Sequence, residues 1–260
     1  MKTLRQLFIL TNRIIKQNLT SVDTLITSII TPIFMLLFFV YVLGGNILVN
    51  GQASTSADYL AYSLPGFLLM AMTMGSAYTA LRINTDKLKG FMTRLLTMPM
   101  KRWVILGSHV LASVIFMLLS VLAIFVTSLL LGYRPQTKLL NFLLFLILLV
   151  TFATMITLVA IPFSLTAKDY ASAGAFSYLL IFLLFISPAF IPVAGMATPI
   201  RLFAENQPMT PIVETAKSLL SGHFDWLSQT TLLTVGWLLL LIIVFSLLSL
   251  KRYKQLFVNI

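Results

Sequence analysis

Six long apolar stretches limit what this chain can fold into. Each holds roughly the 20 residues that a helix needs to cross the hydrocarbon core of a bilayer. In chain order they are Leu25–Leu43, Tyr59–Leu81, Val104–Leu131, Leu139–Phe163, Ala171–Ile191 and Thr231–Leu250. A chain that is 59% hydrophobic and 10% charged lacks the polar residues to cover a soluble globule of this length. The pattern predicts an all-α integral membrane protein with six transmembrane helices.

The basic residues are unevenly divided between the segments that connect these stretches. If the N-terminus lies inside, fourteen of the eighteen lysines and arginines fall in inner segments. The four outer ones are Arg134, Lys138, Arg201 and Lys217. Inner loops of membrane proteins carry such an excess, so both termini are expected in the cytoplasm. The net charge of +11 is then explained by topology and anionic lipid, and not by nucleic acid.

Residues 1–21 precede the first span and show an amphipathic pattern. Leu4, Leu7 and Phe8 fall in one half of a helical wheel with other apolar residues, and Lys2 and Arg5 fall in the basic half. A helix of this kind lies along the inner membrane surface, either as an anchor or as a docking surface for a cytoplasmic partner. Residues 1–260 are thus expected to form one membrane domain, with the six spans within 25–250 and a cytoplasmic tail at 251–260.

The segment between the second and third spans is the longest inner loop. Thr85 is predicted to cap a helix, Asp86 suits its first turn, and Pro99 closes it. Its apolar residues follow the i, i+3, i+4, i+7 spacing of one helical face: Leu88, Phe91, Met92, Leu95 and Leu96. Basic and polar residues occupy the opposite face. The pattern predicts a helix over Asp86–Met98 that contacts a partner.

Small residues in the second span predict close helix packing. Ala71, Gly75 and Thr79 recur every four residues, which lets a neighbouring helix approach. That neighbour belongs either to the same chain, the favoured alternative, or to a second copy.

Proline and glycine divide the outer end of the chain into short pieces. Pro188 and Pro192 are expected to break the fifth span near the outer surface. Prolines then begin short helical pieces within Thr198–Gly222, and Gly222 ends the last one. A partly re-entrant pair of outer helices would cap the spans.

Several kinds of chemistry are excluded by residues that the sequence lacks. With no cysteine, there is no thiolate nucleophile or thiolate metal site. The two histidines, His109 and His223, fall on opposite sides of the membrane in this topology, so they form no metal pair. No glycine is followed by lysine, as a phosphate-binding loop requires. No ionisable residue lies deep within a span, which argues against coupling to an ion gradient. No catalytic residue and no metal site is therefore predicted.

Two loops carry a resemblance to a known family. The inner loop Asp86-Lys87-x-x-Gly90-x-x-x-x-Leu95-Leu96-x-x-Pro99 resembles the cytoplasmic loop of ATP-binding-cassette exporter permeases. The outer sequence from Pro199 to Pro211, followed by Lys217 and Gly222, closely resembles daunorubicin-resistance-type permeases, in which arginine is usual at the position of Lys217. Together with the six-span layout, these loops extend the resemblance over nearly the whole chain.

The resemblance implies a transport subunit of the bacterial cytoplasmic membrane that is not itself an enzyme. Two copies, or one copy and a paralogue, would form an export path and pair with two ATPase subunits. Residues 1–21 would be the elbow helix and Asp86–Met98 the coupling helix. This chain would bind no cofactor, and ATP and magnesium would bind to the partner ATPase. The residues implied for ATPase coupling are Asp86, Lys87, Gly90, Arg94, Leu95 and Pro99, and those of the outer-loop motif are Pro199, Asn206, Pro208, Thr210, Lys217 and Gly222.

Two other functions stay open on sequence alone. One is a membrane scaffold or immunity protein that binds a partner without transport, and the other is a secondary carrier. An amphiphilic substrate such as a drug, a lipid or a lipid-linked molecule suits an apolar path, because a polar solute would lose hydration there without gaining partners.

Overall fold

The computed structural model describes residues 2–45, 48–49, 52–53, 55–98, 100–101 and 103–257. Within these ranges, five helices are long and apolar enough to cross a membrane: Val22–Val42, Ser56–Leu88, Trp103–Leu130, Leu139–Thr166 and Gln229–Leu256. The expectation of a helical membrane protein is thereby confirmed, with five of the six expected spans found at full length. A hairpin of two-residue strands, β1 (Leu48–Val49) and β2 (Gln52–Ala53), is an addition to the all-α prediction.

The fifth apolar stretch forms a shorter helical segment than the sequence predicts. It spans Tyr170–Ile186 in place of Ala171–Ile191, as α8 (Tyr170–Ala173) followed by α9 (Phe176–Ile186). Asp169 is the N-cap residue before this segment, and its carboxylate accepts a hydrogen bond from the Ser172 backbone N–H at 2.8 Å. It ends at Ile186 because Ser187 is extended, the conformation that a following proline imposes.

Helix α1 (Lys2–Thr20) occupies the expected amphipathic segment and packs along α6 (Trp103–Leu130). Its contact side buries Leu10 and Ile14, whereas Leu4 and Phe8 are exposed. The first span follows as α2 (Val22–Leu25) and α3 (Thr31–Phe38), each continued by a π-helical turn (Ile26–Ile30 and Phe39–Leu43).

Helix α4 (Ser56–Leu88) is the central element of the bundle and is buried along most of its length. It packs against α6, α7 (Leu139–Thr166) and α9. Small residues make these approaches possible: a Cβ on Gly66 would lie 2.9 Å from the Ala189 carbonyl oxygen, and one on Gly75 would lie 3.2 Å from Met117 Cγ of α6. Thr79 donates a hydrogen bond to Ser113 Oγ of α6 at 2.7 Å, and Ala71 is fully buried. The spaced small residues of α4 thus meet a helix of the same chain.

The outer region contains α10 (Thr198–Asn206) and α11 (Met209–Ser221), followed by the last helix, α12 (Gln229–Phe257). Helix α11 is mostly buried against α12, α7 and α4, whereas α10 is largely exposed. These two helices match the short pieces predicted from the prolines and from Gly222.

Two hydrophobic cores divide the bundle along its length. The larger one surrounds α4, and the smaller one lies at the end that carries residues 82–101 and 164–169, which we call the inner end. The smaller core, called the inner core below, joins α1, α4, α6, α7 and α12. Its buried members are Leu10, Ile83, Met92, Leu95, Val104, Ile105, Leu106, Ile161, Leu165 and Tyr253.

Candidate functional site

Asp86 is the centre of a charged network at the inner end. Its carboxylate accepts two hydrogen bonds from the Arg13 guanidinium, at 2.9 and 3.1 Å, and lies 3.5 Å from His109 Nε2. The Arg13 guanidinium also lies 3.8 Å from the centroid of the Phe91 ring. Through these contacts Asp86 joins α1, α4 and α6 inside the protein. Because its side chain is only 10% exposed, it presents little surface to a partner.

Lys87 and Asn84 hold the end of α7. The Lys87 ammonium donates hydrogen bonds to the carbonyl oxygens of Leu165 and Ala167, at 2.9 and 2.7 Å. The Asn84 amide donates to the carbonyl oxygens of Ser164 and Ala167, both at 3.1 Å. The last carbonyls of a helix have no partner within the helix, so these contacts satisfy them. Lys87 therefore binds the end of a helix of its own chain.

The prediction of a single helix over Asp86–Met98 is wrong. The structure continues α4 through Asp86 to Leu88 and begins a short helix, α5 (Phe91–Leu96), after Gly90. Gly90 has φ +68°, the left-handed conformation that glycine adopts without steric cost. Thr85 therefore lies inside a helix and does not cap one. The amphipathic spacing continues across Gly90, so the sequence pattern concealed the break.

Helix α5 turns one side to the inner core and the other outward. Met92 and Leu95 are buried there, and Leu95 is only 5% exposed. Its own chain covers Leu95, which leaves the side chain little surface for direct contact with an ATPase, and its part in coupling stays a prediction. Arg94 is exposed, whereas Pro99 lies outside the described residues. We call the exposed residues of this loop the α5 surface: Leu88, Lys89, Thr93, Arg94, Thr97, Met98 and Lys101.

The α5 surface is basic. Lys89, Arg94 and Lys101 are exposed on it, and its described residues include no aspartate or glutamate. Its apolar part consists of Leu88 and Met98, which are 55% and 51% exposed. A surface of this composition complements an acidic partner with an apolar patch.

Lys217 fastens the outer helices to the bundle. Its ammonium donates a hydrogen bond to the Pro188 carbonyl oxygen and lies 3.1 Å from the centroid of the Tyr62 ring. The Tyr62 hydroxyl donates to the same carbonyl at 2.8 Å. Burial lowers the pKa of Lys217 to about 7, and the nearby Glu214 carboxylate opposes this shift. Lys217 thus serves as an internal tie between α4, the end of α9 and α11.

The other residues of the outer-loop motif define the ends of α10 and α11. Pro199 lies in the first turn of α10, and Pro208 is the N-cap residue of α11. The Asn206 amide donates to the Leu202 carbonyl oxygen at 2.8 Å, and the buried Thr210 hydroxyl donates to the Ala204 carbonyl oxygen. Gly222 ends α11 with φ +79°. The motif residues build the outer cap of the bundle, and their contacts are internal.

Replacing Gly222 with alanine is expected to destabilise the outer cap. A non-glycine residue pays roughly 1–2 kcal/mol in a left-handed conformation. At Gly222 a Cβ would also lie 2.6 Å from the Gln136 carbonyl oxygen, so the neighbouring loop must move. Gly132→Ala is the control, because Gly132 has φ +96° but nothing within 4 Å of its Cβ position. In detergent, the thermal unfolding midpoint should fall clearly further for Gly222→Ala than for Gly132→Ala. Equal decreases would contradict the close contact between position 222 and the Gln136 carbonyl oxygen.

Sequence reasoning missed several residues of the inner end. Nothing in the sequence pattern indicates that Arg13 and His109 both meet Asp86, as the structure shows. Arg82 also joins α1, through Asn18 Oδ1 at 3.1 Å and the Gln17 carbonyl oxygen at 3.0 Å. No local pattern marks these partners, because Arg13 lies 73 positions from Asp86, Asn18 lies 64 positions from Arg82, and His109 lies in the next helix, outside the inner loop.

Comparison with known proteins finds a transporter family and several permeases that this chain resembles in sequence. A family model described as ABC-2 type transporter matches residues 5–220. The daunorubicin resistance ABC transporter permease protein DrrB1 of Streptomyces coeruleorubidus is 25% identical over 232 residues, 89% of this chain and 80% of the relative. The putative transport permease ycf38 of Cyanophora paradoxa is 26% identical over 270 residues, 99% of this chain and 90% of the relative. Its counterpart in Porphyra purpurea is 25% identical over 219 residues, 82% and 73% of the two chains.

The family model covers the amphipathic helix, the inner loop, the five apolar segments that precede α12 and nearly all of the outer cap. From this coverage we conclude that the chain belongs to the ABC-2 type transporter family, as a membrane permease.

Proposed function

We propose that this chain is the permease subunit of an ATP-binding-cassette exporter for amphiphilic molecules. A separate ATPase subunit would bind ATP and magnesium, and a second copy or a paralogue would complete the path. The observation that carries the proposal is the α5 surface: an exposed basic patch whose short helix is anchored in the inner core by Met92 and Leu95.

The mechanism follows from how α5 is anchored. Its buried side chains belong to the inner core, which also includes residues from α1, α4, α6, α7 and α12, so a displacement of α5 would disturb a close-packed core that these helices share. The Arg13–Asp86 pair further fixes α1 to α4. An ATPase that pulls or pushes on α5 during its cycle would therefore shift the ends of several spans together. Such a shift is the rigid-body motion by which a path changes from inward-facing to outward-facing.

Six membrane passes are supported by where the connecting segments lie. The basic segments gather at one end, where Lys87 contacts Leu165 and where Tyr253 of α12 joins the inner core. The opposite segments meet at the other end, where Lys217 contacts Pro188 and Thr137 contacts Leu219. Residues 170–186 run between these ends, so their short helix would make the fifth pass. The positive-inside rule then assigns both termini to the cytoplasm.

A path between two chains is supported by the packing of α4. The centre of the bundle is filled by this helix and its neighbours, with Phe67, Leu68 and Leu69 fully buried. The first span and α12 are instead mostly exposed, so they have apolar surface for lipid or for a second chain. An apolar path suits amphiphilic substrates, and one relative is named for resistance to such a compound, daunorubicin.

The proposal is tested with Arg94→Glu, which reverses one charge on the α5 surface. Association with the ATPase should weaken by about tenfold or more, because like charges then face each other. Membrane insertion and thermal stability should be unchanged, since the residue is exposed. Lys138→Glu is the control, because it also reverses one exposed positive charge, but at the opposite end of the bundle. The measurements are co-purification with the ATPase and ATP hydrolysis by the purified complex.

Three outcomes separate the proposal from its rivals. Normal association of Arg94→Glu would reject the α5 surface as the docking site. Uptake of daunorubicin driven by an imposed proton or sodium gradient, with an ATPase whose catalytic acid has been replaced, would identify a secondary carrier. An ATPase that binds but whose hydrolysis responds to no amphiphile would favour a scaffold.

A further inference from the structure

A basic pocket lies beside the inner end of α12 and is separate from the α5 surface except for Leu88. Its volume is about 390 Å³, within the range of roughly 300–1,000 Å³ typical of small-molecule sites. Three cationic side chains from three parts of the chain line it: Lys87 from α4, Lys168 from the turn after α7, and Arg252 from α12. Its other lining residues are Leu88, Leu165, Thr166, Ala167, Gln255 and Leu256.

The three cations can still bind an anion. Among the described residues, no carboxylate lies within 4.0 Å of their charged nitrogens. Lys87 donates two hydrogen bonds to carbonyl oxygens, which leaves one N–H of its ammonium for a ligand. Within the part of the chain that the structure describes, the Arg252 side chain makes one long hydrogen bond, from Nη1 to Gln255 Oε1 at 3.4 Å. The carboxylate of Asp169, the acid next to Lys168, accepts a hydrogen bond from the Ser172 backbone N–H at the start of α8.

Exposed apolar residues of two membrane-spanning helices lie close to residues that line the pocket. Leu248, one turn before Arg252 on the same side of α12, is 40% exposed. Phe163, three residues before Thr166 on α7, is 45% exposed. The exposed apolar sides of two helices therefore lead directly to the pocket from the spans. A molecule with its acyl chains along these sides would place its headgroup among the three cations.

We propose that this pocket binds the phosphate headgroup of an anionic phospholipid from the inner leaflet. A phosphate accepts charge-assisted hydrogen bonds from lysine and arginine, and the leucines of the pocket contact the start of the acyl chains. The inference rests on insertion of the chain in a membrane and does not depend on an ATPase. An acidic segment of a partner protein would need the cations but not the apolar approach from the spans, so the lipid fits more of the site.

The test compares two double variants of equal charge. Lys168→Gln/Arg252→Gln removes two pocket cations and leaves Lys87, which holds α7, in place. Lys251→Gln/Lys254→Gln removes two exposed cations of the same helix end that do not line the pocket. Each purified protein in neutral detergent is titrated with short-chain phosphatidylglycerol, phosphatidylcholine or inorganic phosphate, and the thermal unfolding midpoint and native mass spectrum are recorded.

Phosphatidylglycerol is expected to raise the unfolding midpoint of the wild type, with little effect of phosphatidylcholine or phosphate. The pocket variant should bind phosphatidylglycerol on the order of tenfold more weakly or worse, and the control within about twofold of the wild type. Gln255→Glu, which adds a carboxylate to an exposed pocket position, should also weaken phosphatidylglycerol binding. This single variant replaces the double variant in the test if the double variant misfolds.

Equal losses in the two double variants would overturn the proposal in favour of diffuse surface charge. Saturation by inorganic phosphate alone would show a free-anion site. Unchanged phosphatidylglycerol binding by the pocket variant, together with lost association with the ATPase, would reassign the pocket to a protein partner.

Discussion

Replacing Leu95 with aspartate is expected to disrupt the inner core and lower the thermal stability of the protein severely. Leu95 is 5% exposed and belongs to the inner core, which includes residues from five other helices. Truncation of such a leucine to alanine costs about 2–5 kcal/mol, and an unpaired carboxylate buried there costs more. The loss should appear as a much lower unfolding temperature in detergent and as poor accumulation in membranes.

Met98→Asp is the matched control for this prediction. Met98 lies three residues further along the same loop and is 51% exposed, so the same carboxylate should change stability by only about 0.5 kcal/mol. If Met98 belongs to the docking surface, this variant should still lose ATPase binding. A Leu95→Asp protein that melts like the wild type but fails to bind the ATPase would show that Leu95 faces the partner after all.

Most of the architecture could be predicted because it depends on local features of the sequence, namely the length of each apolar stretch and the charge of the segments that connect them. Five apolar stretches became full-length helices at nearly the expected positions, since a helix is the structure that satisfies its backbone within a bilayer. The outer pieces were also predictable, because Pro199 begins α10 and Gly222 ends α11 through their own backbone preferences.

The inner loop was harder to predict because packing decides its structure. The apolar spacing of Leu88 to Leu96 is compatible with one helix, but the left-handed Gly90 divides it. The same spacing marks an apolar side without saying whether the chain itself or a partner covers it. Here Met92 and Leu95 belong to the inner core together with residues of α1, α7 and α12, which lie far away in the sequence. The motif residues Asp86 and Lys87 likewise owe their roles to partners 73 to 80 positions distant.

Breaking the Arg13–Asp86 pair is expected to be the second most damaging change. In Arg13→Ala the Asp86 carboxylate loses both of its hydrogen bonds from arginine while it stays mostly buried. Removing one partner of a buried pair typically costs about 3–5 kcal/mol, and the 30% exposure of the Arg13 side chain places the expected loss at about 3 kcal/mol. The loss should also weaken the attachment of α1 to α4, although the hydrogen bonds of Arg82 to Asn18 and Gln17 remain, and limited proteolysis of the N-terminal segment would detect the change.

Arg201→Ala provides the control, because Arg201 and Glu205 form an exposed pair whose side chains are 50% and 40% accessible. Such pairs contribute about 0–1 kcal/mol, so this variant should melt close to the wild type. The double variant Arg13→Met/Asp86→Leu should recover part of the lost stability, because it leaves no buried charge unpaired. If Arg13→Ala were as mild as Arg201→Ala, water or His109 would be sufficient to stabilise the Asp86 carboxylate, and the Arg13–Asp86 pair would not be what fixes α1 to α4. If the double variant were stable but its ATP hydrolysis no longer responded to amphiphiles, the charged network would be needed for coupling as well as for folding.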